Sequence, residues 1–227
     1  LGKGYTNDDI EKTVQNAFEG GCMRMDLFYM NGLPFQSYDS AIGSARASKK
    51  LWGLVDKKDP LFIYNSPFSP FVDPGSRAFE APKAWGYKFF ARTLEEHRLL
   101  LDSPSWKLTL SYETNLMTRD QIAEASYDAA NVLAQCEFEA GRISGERLKN
   151  RTGRTEVARS LMHEVDEIMA LKDPAVRDEL LWGIKEKGME MMNSTVCEKD
   201  DLVWESKPVW ASAPRALRGL MFPLRRE

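Results

Sequence analysis

Cysteine and histidine are scarce in this chain, three and two among 227 residues. Cys22, Cys136 and Cys197 lie too far apart for a local metal-ligand or redox pattern and are too few for a disulfide scaffold. An odd, sparse count suits a reducing compartment, so a cytoplasmic location is expected, with each thiol a small buried hydrophobe. His97 and His163 sit far apart in helical patterns and argue for no metal. Charge of one sign is also lacking. Thirty-one basic residues face 34 acidic ones, a net charge of −3, which excludes a strong pull toward nucleic acid or an anionic membrane. The longest apolar runs, residues 27–30 and 61–64, are far short of a membrane span. Repeats and low-complexity segments are missing as well. No signal peptide is expected before Leu1, where helix-like sequence begins at once, and the chain reads as a piece of a longer protein.

What is present suffices for a sizeable core: 43% apolar, 11% aromatic and 29% charged residues. Thr6-Asn7-Asp8-Asp9 caps a first helix with the apolar stripe Ile10, Val14 and Phe18, ended by Gly20-Gly21. Residues 23–30 then read as a strand whose near-continuous hydrophobicity suits a parallel sheet covered on both faces. A helix over 39–55, a strand over 61–65, a Pro-rich loop over 66–82 and a helix over 87–101 follow. This rhythm is that of parallel βα units, whose ligand sites lie at the C-terminal ends of the strands. Loops 31–37 and 66–73 therefore qualify, although two strands cannot close a barrel.

The second half reads as mainly helical. Residues 106–112 could add a short strand. Thr118 and Gln121 form a capping box for a helix with Ile122, Ala125, Ala129, Val132, Cys136 and Ala140 on one face. A polar stretch over 142–153 precedes a helix showing Val157, Leu161, Val165 and Ile168. Asp173-Pro174 opens another, with Val176, Leu180, Ile184 and Met191 or Met192 as its apolar side. From Asp200 the sequence reads as an irregular tail packed through Trp204 and Trp210, its arginines too scattered for a nucleic-acid footprint. The division expected is 1–101 for the βα units and 102–227 for a helical extension.

The segment with most chemical character is residues 25–37, a buried strand running into Gly32-Leu33-Pro34, an amide side chain and a helix. Gly32 permits close backbone approach to a ligand, Pro34 stiffens the turn, and Asn31 and Gln36 carry the donors and acceptors that suit a heteroaromatic edge. A plain βα turn punctuated by Gly and Pro explains the same spacing. The other polar groups have ordinary readings. Glu95, Glu96, His97 and Arg98 suit a solvated helix face, and Ser66 and Ser69 lack any His–Asp arrangement.

Strand, Gly32-Leu33-Pro34-Phe35-Gln36-Ser37, helix resembles the fifth strand and following loop of radical S-adenosylmethionine enzymes. The likeness continues through residues 66–76, 87–98, 110–114 and 117–120, and so covers roughly residues 1–140. The ordered set is similar to the C-terminal portion of family members that carry an N-terminal cobalamin-binding domain. It implies an α/β fold: the C-terminal part of a (β/α) partial barrel followed by an α-helical extension, completed by the upstream half of the barrel. It implies S-adenosylmethionine and a 4Fe-4S cluster as cofactors in the whole protein, with cobalamin as a further one, acting on a small-molecule or unknown substrate. The chemistry implied is reductive cleavage to a 5′-deoxyadenosyl radical. Asn31, Gly32, Leu33, Pro34 and Gln36 would line the adenosyl part, and Ser66, Ser69 and Asp73 would border the substrate. Neither nucleic acid nor a membrane is an expected partner.

Three departures stand beside the likeness. The family's CxxxCxxC loop is absent, so the chain alone is expected neither to bind the cluster nor to catalyse. Phe35 and Ser37 replace the second Gly and the Thr of Gly-Leu-Pro-Gly-Gln-Thr, and Phe35 removes the option of positive φ at little cost. Phe28 stands where some relatives have a ligand-binding Asp. Asp26, one pleat deeper, is either a displaced ligand contact or a barrel-interior carboxylate paired with a basic group. Two other readings remain open: a helical interaction module on a βα scaffold, and a different (β/α)-barrel enzyme using the Gly-Leu-Pro loop for phosphate.

Overall fold

The computed structural model describes residues 4–67 and 72–190. Helix α1 (Asn7–Glu19) starts at a capping box: Thr6 Oγ1 accepts from the Asp9 N–H, and the Asp9 carboxylate accepts from the Thr6 N–H. Strand β1 (Met25–Asn31) follows, then α2 (Tyr38–Trp52), capped by Ser37, and β2 (Leu61–Pro67). The two strands pair in parallel from Met25 opposite Leu61 to Asn31 opposite Pro67. The chain is therefore a mixed α/β protein.

A period of two divides the strands into two faces. Leu61 and Ile63 point into a core shared with Val14 of α1, and with Ile42, Ala45, Leu51 and Trp52 of α2. Met25, Leu27 and Tyr29 of β1 pack against that core. Ala129, Leu133 and Cys136 complete it from α6 (Arg119–Glu139), which starts at the expected Thr118–Gln121 capping box. Helix α6 thus belongs to the core of the strands. Cys136 is buried, as its reading as a small hydrophobe requires, whereas Cys22 is only half-buried.

The segment between β2 and α6 differs from expectation. A short helix α3 (Arg77–Glu80) and a 3₁₀ turn (Pro82–Trp85) interrupt the expected loop. The helix expected over 87–101 splits into β3 (Tyr87–Phe89) and α4 (Leu94–Leu101). The cause is a third capping box, Thr93 with Glu96, which starts α4 late and frees Tyr87–Phe89 to pair antiparallel with β4 (Tyr112–Thr114). Residues 106–112 hold a helical turn, α5 (Trp106–Thr109), before β4. Tyr87 meets Tyr112 edge-to-face at 5.2 Å, and burial pushes its hydroxyl up to about 12.

Helix α7 (Gly145–Met169) begins at the Ser144 cap and takes in most of the polar stretch expected to precede it. Its buried face is Thr155, Met162, Val165 and Ile168, so Val157, expected on the apolar side, is 48% exposed. Helix α8 (Pro174–Glu190) opens at Pro174 as expected, but Val176 and Leu180 are exposed. The expected roles of Met191, Met192, Cys197, Trp204 and Trp210 lie outside the described residues. No helix among the described residues is long and apolar enough to cross a membrane.

Candidate functional site

The C-terminal ends of β1 and β2 carry the candidate loops, and the pleat decides what each side chain can reach. Asn31 lies on the helix-packed face and is fully buried. Its Nδ2 donates to Asn65 Oδ1 at 2.5 Å and to Ser126 Oγ of α6 at 3.2 Å. Asn31 Oδ1 and Asn65 Nδ2 are left buried without a hydrogen-bond partner among the described residues, a costly arrangement in a dry interior. The Asn31 amide thus faces α6.

The loop after β1 is a tight turn built by its own backbone and by Gln36. The Gln36 N–H donates to Leu33 O at 3.1 Å, closing a four-residue turn with Pro34 second and Phe35 third. Pro34 supplies the fixed φ wanted at the second position, and the third position of this pattern calls for positive φ. Phe35 has φ 60°. The turn thus imposes on Phe35 the conformation that its Cβ makes costly, and Phe35 stands 66% exposed. The Gln36 side chain spends one end on the loop and the other on the end of β1. Its Oε1 accepts from the Leu33 N–H at 3.2 Å, and its Nε2 donates to Met30 O at 3.1 Å. Gly32 has φ 78°, and a Cβ there would lie 3.0 Å from the Tyr112 hydroxyl and 3.3 Å from Ile122. Its glycine serves contact with β4 and α6. Ser37, beyond the turn, caps α2 by accepting from the Ser40 N–H.

The other face of the strands is open on its β1 side and aromatic. Phe28, 61% exposed, stacks on Tyr64 at 5.0 Å. Asp26 receives a bidentate grip from Arg24, whose Nη2 also donates to the Tyr64 hydroxyl at 3.3 Å. The Arg24 guanidinium lies 4.4 Å above the Phe62 ring. Its hydrogen bond with Asp26 holds the guanidinium above its ordinary pKa, against the pull of burial. Of the two readings open for Asp26, the structure contains the basic partner. Arg24 itself escaped sequence reasoning, although its spacing of two residues from Asp26 on an extended segment carried the signal.

The substrate-side residues are described only in part. Ser66 pairs with Met30 through the ladder, Ser69 lies outside the described residues, and Asp73 is exposed, its carbonyl accepting from Ser76 in a turn. Glu95, Arg98 and Asp102 form the expected helix-surface pairs. No three His, Cys, Asp or Glu side chains come together as a metal site among the described residues. No family model, curated protein or solved structure matches the chain.

Proposed function

We propose that this chain is the C-terminal βα portion of a radical S-adenosylmethionine enzyme and shapes the wall that receives the adenosyl group. The observation that carries the reading is the left-handed backbone at Phe35, φ 60°, in the position where the family's loop has its second glycine. A turn that retains the glycine conformation after losing the glycine keeps its shape for a reason other than local propensity. Asn31 and Gln36 act in this reading as positioning residues. Asn31 anchors the strand end to α6, and Gln36 holds the turn to Met30.

The cluster of the family does not fit this chain, since Cys22, Cys136 and Cys197 cannot supply three closely spaced thiolates. No electron-transfer step belongs to these residues. Cobalamin stays an implication of family type alone. The test is the same reading frame extended upstream until it includes a CxxxCxxC loop, reconstituted anaerobically with iron and sulfide. That protein should show cluster absorbance and yield 5′-deoxyadenosine from S-adenosylmethionine under reduction, while the 227-residue chain yields neither. A frame without the loop, or cluster formation by the short chain, sinks the proposal.

A further inference from the structure

We infer that the N-terminal half of α7 is the docking surface for an acidic segment of this same chain, residues 197–205, which follows α8. The inference rests on charge and reach, and it stands independently of the S-adenosylmethionine reading. Residues 145–155 carry Arg147, Lys149, Arg151 and Arg154 against one acid, Glu146. Arg147 sits in the first turn of α7, where the macrodipole disfavours a cation, so local helix chemistry does not account for the row. Arg147, Arg151 and Arg154 follow at steps of four and three and share one face, half-buried rather than splayed into water. Glu137 of α6 pairs with Arg151 and anchors the row at its middle. Arg151 also walls a cavity of about 30 Å³ against Ile63 and Asn65, so a segment held on this row lies beside β2 and the Asn31–Asn65 pair.

The apolar stripe of α7 points to a cover of the same origin. Helix α8 packs antiparallel on α7, with Lys187 Nζ 3.0 Å from Glu164 Oε1. Ile168 is buried, Leu161 half-buried and Val157 48% exposed, so the stripe loses its cover in the direction in which α8 runs. The chain beyond α8 carries what is wanted there. Met191, Met192 and Val196 are apolar, and Glu198, Asp200, Asp201 and Glu205 then oppose a single cation, Lys199. Along the helix axis, Arg154 and Arg147 lie about 15 and 26 Å beyond Glu164. Asp200 is 13 residues beyond Lys187, a reach of about 20 Å if helical and up to about 43 Å if extended. Residues 207–227 hold five cations against Glu227, and their sign excludes them. A single exposed ion pair contributes little, whereas several acids on one half-buried row act together.

Amide hydrogen exchange of the 227-residue chain, read by mass on the peptide 197–205, tests the docking. At low salt these amides should exchange at least about tenfold more slowly than in an unfolded chain, and the protection should fall as salt screens the row. Arg147→Glu with Arg154→Glu should abolish the protection, and adding Asp200→Arg with Asp201→Arg should restore it. Circular dichroism identifies a variant that unfolds. In that event Asp200→Asn with Asp201→Asn, outside the core that the helices share, must lose the protection by itself. Three results overturn the inference: no protection in the parent chain, protection that charge reversal leaves unmoved, or protection lost on dilution, which marks a second copy as the occupant.

Discussion

Phe35 concentrates the conflict between chemistry and geometry in this chain. A non-glycine residue with positive φ carries a backbone penalty of about 1 kcal/mol, and here its side chain recovers little, being 66% exposed. Phe35→Gly should therefore stabilise the protein by about 0.5–1 kcal/mol, the relief of strain being partly offset by the greater freedom of glycine in the unfolded chain. Phe35→Ala keeps the Cβ and should gain nothing. Urea denaturation of the three proteins checks the pair; equal stabilities for the Gly and Ala variants would show that the turn is not strained. The neighbouring glycine is constrained more tightly. Gly32 combines a left-handed φ with close packing against Tyr112 and Ile122, so any Cβ meets both obstacles at once.

At the scale of elements, the start of α2 is tied to α6 and α7 by a polar network. The Tyr38 hydroxyl donates to Asp128 Oδ2 at 2.5 Å, and Arg159 of α7 pairs with Asp128 Oδ1. Arg159 also reaches Glu124, which contacts His163 at 3.0 Å. Burial acts to raise the Asp128 pKa, yet the hydrogen bonds from Tyr38 and Arg159 prevail and hold it below 3.8. A depressed carboxyl contributes stability that is complete above its unfolded value and fades as pH falls through the folded one. Asp128→Asn should thus cost about 0.5–1 kcal/mol at neutral pH, a figure kept small because the side chain is 41% exposed and screened. The difference from the parent should shrink as pH drops below 3.8, as denaturation at both pH values would show. A difference independent of pH would rule out this carboxylate as the cause.

The same scale explains what the sequence revealed and what it hid. The caps at Thr6 and Thr118 and the start of α8 at Pro174 were legible because each depends on residues within a turn, and the parallel pair after α1 because two apolar runs flank one helix of crossover length. The Thr93–Glu96 box was equally local, and reading it would have exposed β3. Pairing of β3 with β4 was hidden, since it joins residues 25 apart in sequence across intervening helices. In the site, the turn was legible from Gly32 and Pro34. The direction of the Asn31 amide was not, because the face it occupies is defined by α6, 95 residues away at Ser126.

For the whole molecule, α6 decides between an autonomous helical module and a continuous α/β core. Its Ala129, Leu133 and Cys136 fill the same core as Leu61 and Ile63, and its Ile122 and Ala125 pack with Ala41 of α2 and with Tyr112. Removing residues 1–101 would leave that apolar face in water, and burial of such area is the main driving force for folding. Helices α7 and α8 cannot replace it, since α7 covers a different side of α6, around Ala123 and Tyr127. Residues 102–227 expressed alone should therefore show a broad, non-cooperative thermal transition in circular dichroism, whereas the 227-residue chain unfolds with a sigmoidal one. A sharp transition in the shorter piece, together with capture of a protein partner, would revive the interaction-module reading. Without it, α6 is a wall of the core beneath the strands that carry the Phe35 turn.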